Sequence, residues 1–134
     1  MPAKGAAKPL SLDAVFDELK AMLVSHATRF TVRTGMVKNK RDYHLISKKP
    51  VELDDGKKKE RYFASVIQQK HSVGFYFNPA YGCDEVKPLL SADLLKHLDG
   101  KTCFHFAALT PQLKKDVQAA LKIGLKAYRE REWI

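Results

Sequence analysis

Cysteine is scarce in this chain of 134 residues, which contains Cys83 and Cys103 and no Cys-x-x-Cys motif. A disulfide framework or a structural zinc site normally needs more cysteines at closer spacing. We therefore expect two free thiols in the reducing environment of the cytoplasm. A single disulfide between the two cysteines stays open as the less favoured alternative.

Long apolar runs are also missing, since no segment approaches the roughly 18 consecutive apolar residues that a membrane-spanning helix needs. The first residues, MPAKGAAKPLSLD, lack the apolar core of a signal peptide. We therefore expect a cytoplasmic protein that does not contact membranes. We further expect residues 1–10 to form a flexible tail and residues 11–134 to form a single domain.

Established catalytic motifs are absent as well. The chain has no Gly-x-Ser-x-Gly, no glycine-rich phosphate loop and no His-Glu-x-x-His. Cys103 and His105 lie two positions apart on a predicted strand and would share one face, so they could pair as nucleophile and base. A nucleophile also needs a third group that orients the base, so we favour an idle thiol and a protein that is not an enzyme.

Acidic residues are few relative to basic ones, with 15 Asp and Glu against 24 Lys and Arg and a formal net charge of +9. Such a balance favours anionic partners or serves solubility. The densest basic segment, Lys57, Lys58, Lys59 and Arg61, follows the turn signal Asp55-Gly56. A solvated hairpin flank is the favoured interpretation, and contacts to nucleic-acid phosphates are the alternative.

Hydrophobic periodicity predicts the secondary structure. Ser11 is expected to cap a first helix that ends near His26, and Ser91 is expected to cap a short helix from Ala92 to about Leu98. Thr110-Pro111 is expected to start the last helix. Between them, short alternating segments joined by turn signals indicate an antiparallel sheet. The sequence thus predicts an α+β fold of about five strands with helices packed on one face, in the order α-β-β-β-β-α-β-α.

The aromatic segment QKHSVGFYFNP, residues 69–79, could be a platform for stacking bases or an inner strand of the sheet. Side chains alternate along a strand, so Phe75 and Phe77 should point toward the helices and Tyr76 away from them. The segment lacks the basic-Gly-aromatic opening of RNA-recognition sheets. We therefore favour the inner strand, with Tyr76 able to stack on a flat ligand.

Candidate ligand contacts cluster around this strand and the long loop that follows it, residues 78–88, which carries Tyr81. We expect a ligand site near Tyr76, Tyr81, Cys103 and His105. A metal site formed by His44, Cys103 and His105 is a less favoured possibility, because dispersed ligands would have to converge from separate strands.

The block YFASVIQQKHSVGFY, residues 62–76, and the strand GKTCFHF, residues 100–106, resemble motifs of the YdhG-like bacterial domains of unknown function. The closing helix, residues 109–128, matches that family in position. The resemblance implies a compact α+β domain comparable to frataxin, and a possible role as an iron chaperone, with iron as cargo. Our overall expectation is a non-enzymatic binding module for a small molecule, metal ion or protein, with nucleic-acid binding as the alternative. Monomer and dimer are both left open.

Overall fold

The computed structural model describes residues 11–52 and 56–134. The predicted tail and Asp55 of the predicted turn lie outside these ranges. The described residues form the helices α1 (Leu12–Val24), α2 (Pro79–Gly82), α3 (Ala92–Leu95) and α4 (Pro111–Glu130). They also form the strands β1 (Phe30–Arg33), β2 (Asp42–Ser47), β3 (Val51–Glu52), β4 (Lys58–Lys59), β5 (Tyr62–Gln68), β6 (Val73–Phe77), β7 (Leu98–Asp99) and β8 (Cys103–Phe106).

Six of these strands make one antiparallel sheet in the order β1-β2-β5-β6-β8-β7, and β3 pairs with β4 as a separate two-stranded ribbon. The predicted α+β class and antiparallel sheet are confirmed. One difference concerns the segment before β8, where we expected helix as far as Leu98. The helix ends at Leu95, because Leu98 and Asp99 turn through Gly100 (φ +81°) and pair with Phe104 and Cys103.

Side-chain caps start three helices, as the sequence indicates. The Ser11 hydroxyl accepts the backbone N–H of Ala14 at 3.1 Å, and Thr110 accepts that of Leu113 at 3.1 Å. Ser91 caps the short α3 in the same way. Each cap satisfies a backbone donor that the first helical turn would otherwise leave without a partner.

One face of the sheet carries the main apolar core, and α1 packs on it above β5 and β6. Five phenylalanines on the strands are fully buried there, namely Phe63, Phe75, Phe77, Phe104 and Phe106. The inward placement of Phe75 and Phe77 is therefore confirmed, and their rings stack with centroids 5.6 Å apart. Helix α4 approaches this face closely because Gly124 has no side chain. A Cβ at that position would lie 2.7 Å from the Phe77 ring.

The strand register defines the opposite face, which we call the outer face. Directly paired residues of an antiparallel sheet share a face. Pairing therefore runs in one row across all six strands, through Arg33, His44, Ser65, Tyr76, Cys103 and Asp99. A β-bulge in β5 leaves Phe63 and Ala64 both in the core and keeps Tyr62 and Ser65 on the outer face.

Candidate functional site

Asp42 anchors the outer face at the start of β2. Its carboxylate accepts the backbone N–H groups of Gly35, Met36 and Val37 at 2.5, 2.7 and 2.8 Å. Burial by itself would raise its pKa, but hydrogen bonds from His44 and these three backbone groups hold the pKa below its ordinary value of 3.8. Asp42 is therefore an ionised, buried acceptor that fixes the turn between β1 and β2.

His44 and Ser65 continue from Asp42 as a chain of hydrogen bonds. His44 Nε2 lies 3.1 Å from Asp42 Oδ2, and His44 Nδ1 lies 2.7 Å from Ser65 Oγ. An ionised carboxylate can only accept, so Nε2 donates to Asp42, and when the ring carries this one proton Nδ1 accepts the Ser65 hydroxyl proton. The hydroxyl is thereby turned toward His44, and the lone pairs of Ser65 Oγ are left for a further donor.

A depression of about 280 Å³ lies over this chain, between two tyrosines of neighbouring strands. We call it the tyrosine depression, and its lining residues are His44, Tyr62, Ser65, Ile67, Tyr76, Asn78 and Thr102. Tyr62 is fixed at its backbone, because its carbonyl accepts Asn78 Nδ2 and the Tyr128 hydroxyl, each at 2.7 Å. Its ring meets the His44 ring edge-on with centroids 5.8 Å apart.

Cys103 and His105 lie beside the depression on β8. Cys103 Sγ is 3.4 Å from His105 Nε2, and the same nitrogen is 3.5 Å from the Asp99 carboxylate. His105 Nδ1 lies 3.3 Å from the Ser72 hydroxyl. Three of the four predicted ligand residues, Tyr76, Cys103 and His105, thus stand together on the outer face, and Tyr76 and Cys103 are direct cross-strand partners.

Burial raises the pKa values of two side chains of this group, Cys103 and Tyr76. It raises the pKa of the Cys103 thiol, a hydrogen bond with Tyr76 opposes the shift, and Asp99 adds to it. Burial and the neighbouring Cys103 likewise raise the pKa of Tyr76. The thiolate is the nucleophilic form of cysteine. At neutral pH this thiol therefore stays protonated, which favours binding over covalent chemistry.

Two predicted contact residues lie elsewhere. Tyr81 is 59% exposed and lines a separate groove with Lys87, Pro88 and Leu95. The Arg61 guanidinium stacks on the Trp133 ring at 4.2 Å. The assignment of Arg61 with Lys57, Lys58 and Lys59 as phosphate contacts stays a prediction.

The predicted convergence of His44 with Cys103 and His105 is also wrong. Strands β5 and β6 lie between β2 and β8, and three strand spacings of about 4.8 Å separate the two positions too far for one metal ion. Within residues 11–52 and 56–134, no group of three or more His, Cys, Asp or Glu side chains could hold a metal ion.

Sequence reasoning missed the connection of Asp42, His44 and Ser65, and it assigned no ligand role to Tyr62. The alternation of β2 places Asp42 and His44 on one face, which is a signal that the sequence does contain. Ser65, the partner of His44, lies 21 positions further along the chain. The two residues meet only because of the register between β2 and β5, and a bulge shifts that register.

The chain matches no protein-family model, and searches among curated proteins and among solved structures find no match either. The resemblance to YdhG-like domains therefore stays a prediction. Among the described residues, no helix is both long enough and apolar enough to cross a membrane.

Proposed function

We propose that this protein is a non-enzymatic binding module that holds a small planar ligand in the tyrosine depression. The observation that carries the proposal is the pair of half-buried tyrosines, Tyr62 and Tyr76, on adjacent strands around a concave surface. Aromatic faces bind flat rings by stacking, and each stacked ring contributes about 1–3 kcal/mol.

The floor of the depression supports a ligand with an N–H or O–H donor. Ser65 and His44 are each 5% exposed and are held in one orientation by Asp42. Ser65 Oγ therefore presents lone pairs, and a ligand that offers only acceptors would leave this buried group unsatisfied, at a cost of about 1–3 kcal/mol. The volume suits one or two fused rings, since it is just below the usual range for drug-sized ligands.

Isothermal titration calorimetry with a panel of flat heterocycles tests this proposal. We expect ring compounds that carry a donor, such as nucleosides, to bind wild type and to lose at least about tenfold in affinity in Tyr76→Ala. Tyr81→Ala is the matched control, because Tyr81 lines a different groove and its loss should leave affinity unchanged. Binding that is insensitive to Tyr76→Ala, or no binding by any compound of the panel, would reject the proposal.

Nucleic-acid binding is the second candidate, and the lysines of the β3–β4 ribbon favour it. Lys58 and Lys59 form β4 and are exposed, as are Lys57 and the preceding Lys48 and Lys49. Phosphate contacts by lysine weaken steeply as salt rises. Binding of a single-stranded oligonucleotide should therefore fall between 50 and 200 mM salt, by roughly tenfold or more for several phosphate contacts, and should fall again in Lys58→Ala/Lys59→Ala.

A further inference from the structure

The lining of the tyrosine depression offers a ligand no ionic partner. It includes no lysine, arginine, aspartate or glutamate. Both ring nitrogens of His44 are already engaged, one by Asp42 and the other by Ser65. Ring contacts and hydrogen bonds to uncharged groups must therefore orient a ligand there, and a neutral molecule suits the site.

Tyr76 offers a ligand its ring and not its hydroxyl. The hydroxyl accepts Gln69 Nε2 at 2.9 Å and is also in hydrogen-bond contact with the Cys103 thiol. The ring leans back along β6 over Gly74, where a Cβ would lie 2.8 Å from Tyr76 Cε1. Because Gly74 has no side chain, the ring has room beside the depression, and the recognition of polar ligand atoms falls to other residues.

Asn78 presents a free acceptor to the depression. Its Nδ2 donates to the Tyr62 carbonyl at 2.7 Å, which fixes the orientation of the amide and turns Oδ1 away from that carbonyl. Oδ1 does not cap α2, and it accepts no hydrogen bond from residues 11–52 or 56–134. It is accessible to solvent, so a ligand donor can reach it.

Ser65 supplies a second acceptor on the neighbouring strand. Its Oγ presents lone pairs, because its proton is turned toward His44. Ser65 pairs with Tyr76, so Asn78 is its diagonal neighbour across β5 and β6, and such neighbours lie about 7–8 Å apart. Two donors on one edge of a flat ring, each about 2.9 Å from its acceptor, can bridge residues at this separation.

We propose that the ligand is a neutral heterocycle with two donors on one edge, a ring N–H beside an exocyclic amino group, as in guanine. The ring N–H meets Ser65 on the floor, the amino group meets Asn78 at the rim, and the ring stacks on Tyr76. The hydroxyls of Tyr62 and Thr102 can donate or accept, so they meet the remaining polar atoms of the ring without selecting among them. This inference rests on the proposed function, because it names the class of ring that the tyrosine depression holds.

Calorimetry with guanosine and inosine tests the inference, because these two nucleosides differ by the 2-amino group alone. We expect guanosine to bind wild type about fivefold more tightly, the gain of one hydrogen bond to an unpaired acceptor. In Asn78→Ala guanosine should bind as weakly as inosine, and the affinity for inosine should stay unchanged. The Tyr62 carbonyl keeps the Tyr128 hydroxyl at 2.7 Å in this variant, so no buried acceptor loses its last partner. Gln118→Ala is the matched control, because it removes a side-chain amide from the groove between α1 and α4 and should keep the fivefold preference.

The outcomes separate this inference from the proposed function. If guanosine and inosine bind wild type equally and in a manner that depends on Tyr76, the donor edge is overturned and the ring site stands. A preference for guanosine that persists undiminished in Asn78→Ala also overturns the assignment. If neither nucleoside binds, the inference fails, and the other heterocycles of the panel decide whether the proposed function fails with it.

Discussion

The two faces of the six-stranded sheet are built from the same strands, yet they differ in how their side chains are held. On the helix-covered face, fully buried phenylalanines pack against one another and against α1 and α4. On the outer face, Asp42, His44 and Ser65 are almost as deeply buried but are joined by hydrogen bonds. The difference shows that one face is organised by packing and the other by directional polar contacts.

This contrast separates stability from recognition. Apolar packing is non-directional and roughly proportional to buried area, so it stabilises the fold without presenting specific groups to a ligand. A hydrogen-bonded chain fixes donors and acceptors in space, and it contributes less to stability per group. We therefore propose that the helix-covered face supplies most of the stability of the fold and that the outer face binds the ligand.

The largest effect on stability should come from truncating a buried phenylalanine on the helix-covered face. Phe75→Ala removes a fully buried ring between Phe77 and Phe104, and we expect it to lower the free energy of unfolding by about 3–5 kcal/mol. Ile67→Ala, on the outer face of the neighbouring strand, is the control, with an expected loss of about 1 kcal/mol. Urea denaturation measures both, and equal losses would contradict the distinction between the faces.

Loss of the anchor on the outer face should have the next largest effect. Asp42→Asn removes the charge that accepts three backbone N–H groups and orients His44, and we expect a loss of about 2–3 kcal/mol. Asp99→Asn is the control, because the Asp99 side chain is 81% exposed. A difference of under about 0.5 kcal/mol between the two variants would show that the anchor is dispensable.

The pH dependence of this effect has a defined sign. The pKa of Asp42 is lower in the folded protein than its ordinary value of 3.8. Its charged form therefore stabilises the fold fully above that value, and the contribution is lost as the pH falls from that value through the lower pKa of the folded protein. The stability difference between wild type and Asp42→Asn should be constant above about pH 5 and should shrink below about pH 4. A difference that grew on acidification would contradict this assignment.

The smallest effect should come from an exposed ion pair at the edge of the outer face. Arg33 Nη2 donates to both carboxylate oxygens of Glu60, at 2.7 and 3.0 Å, and both side chains are about two-fifths exposed. Such pairs contribute about 0–1 kcal/mol and are screened by salt. Glu60→Gln should therefore change the free energy of unfolding by less than about 1 kcal/mol, and by less still at 1 M salt. A larger loss that persists in salt would place this pair among the anchoring contacts.

Much of the fold follows from local sequence signals. The caps at Ser11, Ser91 and Thr110 are confirmed, and side-chain alternation places Phe75 and Phe77 inward as expected. The short helix α2 was missed, because a single turn begun by Pro79 has no periodicity of its own. Short elements of this kind form where tertiary contacts hold them.

The candidate site was predictable only in part. Cys103 and His105 share a face because they are two apart on one strand, and that prediction needs no knowledge of the sheet. The pairing of Cys103 with Tyr76, and that of His44 with Ser65, depends on the register between strands. The β5 bulge shifts that register, and local sequence does not specify which residue a bulge inserts. Local sequence does not specify the order of strands in a sheet either, and that order places three strand spacings between His44 and its predicted metal partners.

The central claim is that the tyrosine depression on the outer face is the binding site. Two-dimensional NMR of the uniformly labelled protein, titrated with the flat heterocycle of the panel that binds most tightly, tests it most directly. We expect shifts at Ser65, Ile67, Tyr76 and Gln69, and unchanged signals along α4. Shifts confined to the α4 side of the molecule, or to the groove that holds Tyr81, would contradict the claim.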